Sequence, residues 1–89
     1  LLSYPSDAEM HALQAKTYSA LGKRLQQHRA LAESYFLQGQ LGAAVEQLQF
    51  AQQATDGNFY EQSQVDARLR EMKKRMADEA RQAKEAKQK

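Results

Sequence analysis

Eighty-nine residues with a formal net charge of +2 and no cysteine admit one domain with a modest core. The missing cysteines exclude disulfides, thiolate zinc sites and cysteine nucleophiles. No apolar run reaches the ~18 residues that a membrane-spanning helix needs. The charge is uneven: from Asp66 onward nine basic residues face five acidic ones, whereas four face six before it. Acids recur among these bases and no aromatic interleaves Lys73, Lys74 and Arg75, so a solvated helix face is expected, and no nucleic-acid contact. No basic start followed by an apolar core marks a secretory signal. Leu1 in place of Met is what a piece of a longer chain would show.

In chain order, Ser6-Asp7-Ala8-Glu9 is a capping box, with Pro5 holding the chain ahead of it extended. It opens a first helix over about 7–21, with Met10, Leu13, Thr17 and Leu21 along one face. Gly22 supplies the left-handed residue that ends it. A second helix over about 24–38 carries Leu25, His28, Leu31, Ala32 and Tyr35 at helical spacing, and Gly39 ends it. A third over about 41–55 turns Leu41, Ala44, Val45, Leu48, Ala51 and Ala54 inward. Asp56-Gly57-Asn58 is turn chemistry, and Asn58 with Glu61 forms a second capping box. The fourth helix starts near Phe59, and Val65, Leu69, Met72 and Met76 make a narrow seam that covers the preceding helices over 59–76. Beyond Met76 the only apolar residues are alanines. Residues 77–89 are therefore expected as a solvated charged helical extension, braced by pairs such as Arg81–Glu85 and Glu85–Lys89 at ~0.2–0.5 kcal/mol each.

Two of these helices end in one frame, A-x-x-Y-x-x-x-G: Ala15 to Gly22 and Ala32 to Gly39, offset by 17 residues. That is half the ~34-residue period of a tetratricopeptide (TPR) repeat, a helix–turn–helix unit. Taken from Gly39 as the turn glycine, Leu31, Ala32, Tyr35, Ala44, Leu48 and Ala51 fall on the large, small and aromatic positions of that repeat. His28 and the lack of a proline after Ala54 depart from it. Sliding the pattern back onto the first two helices places Gln27 and Ser34 where alanine belongs. The fold expected is an all-α, antiparallel TPR-like stack of four helices closed by a long C-terminal capping helix, with the second helix serving two neighbours.

A wider resemblance covers most of the chain. The runs Ala30 to Gly39, Ala44 to Leu48, Asn58-Phe59-Tyr60 and Val65 to Glu71 resemble the C-terminal TPR region of periplasmic zinc metalloproteases of the β-barrel assembly-enhancing type. The resemblance implies a parent with a signal peptide and an H-E-x-x-H zinc domain outside this chain. It also implies a periplasmic location and repeats that contact assembling or misassembled envelope proteins. The chain itself lacks the motif: His11 is followed by Ala-Leu-Gln-Ala and His28 by Arg-Ala-Leu-Ala. Two histidines one helical turn apart are needed to grip the metal. No catalytic residue, metal ligand or cofactor is therefore expected here, and Ser3, Ser19, Ser34 and Ser63 have no base or orienting partner for a hydrolase triad.

The residues expected to meet a protein partner are Gln26, Arg29, Glu33, Phe36 and Leu37, which would face the concave side of such a stack. Arg29 suits a carboxylate and Phe36 an apolar side chain. Glu33 stands where TPR clamps for terminal carboxylates carry asparagine, which weighs against that clamp. The plainer reading is that Phe36 and Leu37 pack on a neighbouring repeat. His11 and His28 read as ordinary helix-face histidines, His28 beside the Tyr18 and Tyr35 rings. The open helical edge also allows self-association through Phe36, Leu37 or the Met72–Met76 seam. A free-standing TPR adaptor or chaperone in any compartment is the alternative to a protease tail.

Overall fold

The computed structural model describes residues 5–87; Ser3 and the Glu85–Lys89 pair lie outside them. The described residues form four helices and no strand: α1 (Asp7–Ala20), α2 (Arg24–Leu37), α3 (Leu41–Gln53) and α4 (Phe59–Lys87). The all-α class is as expected, and each helix ends within two residues of its expected bound. Residues 59–76 and the described residues that follow form one continuous helix.

The punctuation follows from local chemistry. Ser6 accepts from the Glu9 amide at 3.1 Å while Glu9 reaches back to the Ser6 N–H. Asn58 and Glu61 repeat the exchange at 2.8 and 3.1 Å, so each box satisfies two of the donors that a helix start leaves over. Gly22 and Gly39 have φ of 71° and 77°, the left-handed region that side-chain-bearing residues resist. At both, the glycine N–H bonds the carbonyl three residues back and the next N–H bonds the tyrosine carbonyl, Tyr18 or Tyr35. The shared A-x-x-Y-x-x-x-G frame is thus one helix-ending motif used twice.

The helices pack in sequence, α1 on α2, α2 on α3 and α3 on α4. The core comprises Leu25, Ala32, Ala44, Val45, Leu48, Ala51, Val65, Leu69 and Met72, with Tyr35, Phe36, Leu41 and Ala54 packed against it. Three alanines in that core let backbones approach closely while the leucines and Met72 fill the hollows. The one buried polar side chain among the described residues, Ser34, donates to the Ala8 carbonyl at 2.8 Å, which ties the end of α2 to the start of α1. The described chain is a slab of 51 × 43 × 15 Å. Its radius of gyration of 15.0 Å exceeds the roughly 12 Å of a rounded domain this size, because the last turns of α4 leave the body.

The face of α1 that carries Met10, Leu13 and Thr17, with Leu21 just past the helix end, lies in solvent, Leu13 at 55% and Leu21 at 63% exposed. α1 packs instead through Ala15, its one buried residue, flanked by the half-buried Ala8, Ala12 and Tyr18. The small side permits the close approach that the Ser34–Ala8 bond requires. Met76 is 40% exposed, since α3 no longer lies opposite it. His28 sits by Phe50, ring centroids 5.4 Å apart, and by Gln47 at 2.8 Å, not by the tyrosines. Arg81 pairs with Asp78 at 2.9 Å rather than with Glu85, three residues being as near as four on a helix surface.

Candidate functional site

α2 is the helix from which every expected contact residue projects, and its position is set from three sides. Its own start, Lys23, makes no side-chain cap. Asp56, from the α3–α4 turn, accepts from the Arg24 N–H and, at 3.0 Å, from the Leu25 N–H. The Leu25 amide above all, with desolvation opposing, holds the Asp56 carboxyl below its ordinary value. A carboxylate on a helix start satisfies orphan N–H groups and complements the helix dipole. Next to it, Gly57 lies against the buried Leu25 so closely that a Cβ would fall 2.3 Å from Leu25 Cδ1. The turn therefore needs glycine for space, with no positive φ involved.

Along α2, three polar side chains reach α4 at one constant separation. Gln26 donates to Glu61, Arg29 Nη1 donates to Gln64 Oε1 at 2.7 Å, and Glu33 accepts twice from Arg68 at 2.6 and 2.9 Å. All three pairs are 35 residues apart, so α2 and α4 run the same way, side by side, over two turns. The Arg68 pair is bidentate, the stronger form of ion pair, and its side chains are only 28% and 24% exposed. The hydrogen bonds from Arg68 to Glu33 raise the guanidinium's already high pKa. One turn on, Phe36 lies between two cations, with the Arg68 and Arg75 guanidinium carbons 4.7 and 5.1 Å from its ring centre, within cation–π range.

The five expected residues consequently split between two grooves. Gln26, Arg29 and Glu33 line a groove of about 290 Å³ with His11, Gln14 and Tyr18 of α1. Phe36 and Leu37 line another of about 230 Å³ with Gly39, Leu41, Arg75 and Glu79, where Leu37 remains 48% exposed. Most of the five are already engaged by α4, so what they offer a partner is their remaining faces. The sequence reading left out a third surface, an apolar groove of about 330 Å³ on α1 formed by Met10, Leu13, Gln14, Thr17 and Tyr18. Its signal is in the sequence, where helical spacing puts Met10, Leu13 and Thr17 on one face of α1. No group of three or more His, Asp or Glu side chains among the described residues is placed to hold a metal.

The chain matches no protein-family model, no curated protein and no solved structure at a significant level.

Proposed function

We propose that the chain is a protein–protein interaction module with a TPR-like antiparallel stack, serving as the non-catalytic docking tail of a periplasmic zinc metallopeptidase. The observation that carries the stack is the ladder of three α2–α4 contacts, each 35 residues apart. A repeat of ~34 residues places equivalent helices side by side and parallel, with an oppositely running helix packed behind them. α2 and α4 are then the equivalent helices and α3 the one between, with Gly39 at the turn inside the repeat. Support for docking comes from the two grooves lined by Gln26, Arg29, Glu33, Phe36 and Leu37. The peptidase, its zinc, the periplasmic setting and the envelope-protein clients rest on the sequence resemblance.

Mechanistically, the module raises the local concentration of a client near a catalytic domain, which multiplies capture without any chemistry of its own. The test is titration of isotope-labelled protein with a denatured outer-membrane β-barrel protein, read by amide shifts. Shifts clustered on Gln26, Arg29, Glu33, Phe36 and Leu37 are the expected result. A spectrum unchanged at saturating client would sink the docking role. The sequence of the parent upstream of residue 1 separates the two contexts, since an H-E-x-x-H helix there marks the peptidase and its absence the free-standing adaptor.

A further inference from the structure

The exposed groove on α1 has a filled counterpart within the same chain. Met10, Leu13, Gln14 and Thr17 precede Ala44, Gln47, Leu48 and Ala51 of α3 by 34 residues. In α3, three of these positions lie in the core shared with α2 and α4. Ala44, Leu48 and Ala51 are fully buried, and Gln47 bonds His28. In α1 the same side has no helix on it among the described residues. α1 thus presents to solvent the positions that α3 buries, with larger side chains in Met10 and Thr17 than in Ala44 and Ala51.

Charge defines what fits there. The apolar groove shares Gln14 and Tyr18 with the polar groove that runs on to Gln26, Arg29 and Glu33. Of the charged residues lining it, Glu33 is neutralised by the bidentate Arg68 contact. Arg29 bonds only the neutral Gln64, with no carboxylate within 4.0 Å among the described residues. His11 Nδ1 lies 3.1 Å from Gln14 Oε1, which leaves the Gln14 amide hydrogens for a ligand. The junction of the two grooves is thus rich in donors and short of one negative charge. A half-buried guanidinium whose partner is neutral favours a carboxylate, and bidentate geometry makes the preference specific.

We propose that this edge binds an amphipathic helix of a partner protein, running parallel to α2. Its apolar face would lie on Met10, Leu13 and Thr17, and a glutamate or aspartate on its flank would pair with Arg29. The inference rests on the TPR-like reading, because that register assigns the empty side of α1 to a helix. The occupant would make from one side of α2 the kind of contact that α4 makes from the other.

The test uses two synthetic, fluorescein-labelled amphipathic helices with leucines at i, i+3 and i+7, identical except for glutamate or glutamine on one flank. Anisotropy titrations at low salt are expected to give a preference of about fivefold for the glutamate peptide. Arg29→Gln should abolish that preference. Leu13→Arg, at an exposed position and with an unchanged thermal melt, should abolish binding of both peptides. Equal affinity for the two peptides on the native chain, or binding of neither, overturns the proposal. So does a native dimer in sedimentation that Leu13→Arg converts to monomer, since a second copy would then be the occupant. If Leu13→Arg keeps the envelope-client shifts described above while Leu37→Arg loses them, this edge is excluded and the docking reading stands.

Discussion

α1 and α4 are both edge helices, each packed against one sequence neighbour, yet they present opposite surfaces outward. Past its first turn, where Phe59 and Tyr60 are 87% and 69% exposed, α4 buries Val65, Leu69 and Met72 and shows solvent Ser63, Arg70, Lys73 and Lys74. α1 buries a single alanine and shows solvent Met10, Leu13 and Leu21. A helical stack is finished where its last helix has a polar back and unfinished where the back is apolar. The difference teaches that apolar periodicity marks a face for packing without saying that the chain itself supplies the partner.

The most severe way to probe that contrast is a pair of truncations. Leu69→Ala empties a site that is 4% exposed and is expected to cost about 2–5 kcal/mol in urea unfolding. Leu13→Ala should change stability by less than about 0.5 kcal/mol. Equal costs would mean that α1 is covered in solution. Gly57→Ala comes next, at about 1–3 kcal/mol, because the new methyl must displace the buried Leu25 or move the turn that caps α2. A null result there would show that the turn is looser than the 2.3 Å approach implies.

Arg68→Gln removes the bidentate Glu33 pair and one cation over Phe36. Both partners are under a third exposed, so a loss of roughly 1–2 kcal/mol is expected, between surface and buried pairs. It should also loosen α4 against α2, read as faster amide exchange from about Gln64 onward. Asp56→Ala has a smaller effect, about 0.5–1 kcal/mol for a lost cap, and it carries a pH signature. The folded Asp56 pKa lies below its unfolded value. Its stabilisation is therefore complete above the ordinary carboxylate pKa and fades as pH falls through the lowered one. Asp56→Asn should flatten that acid limb of the melting-temperature profile while keeping most of the cap. A chain ending at Glu79 should melt within about a degree or two of the full chain, since among the described residues the removed turns contribute one surface ion pair, Arg81–Asp78.

The helix ends were legible because they depend on neighbours within a few residues. Ser6 with Glu9, Asn58 with Glu61, and the glycines after Tyr18 and Tyr35 carry their own hydrogen-bonding instructions, and those operate wherever the rest of the chain lies. The class of fold and the solvated end of α4 follow from the same local information. The Gln26, Arg29 and Glu33 positions on one face of α2 were also readable from helical spacing. Their partners on α4 were not, because a polar residue 35 positions away becomes a neighbour only once α3 has turned the chain back on itself. Tertiary packing alone decided which side of α1 meets α2. That choice sets an apolar stripe of Met10 and Leu13 against the close approach that Ala15 and the Ser34–Ala8 bond allow. The closer contact prevails, and the larger side chains face out.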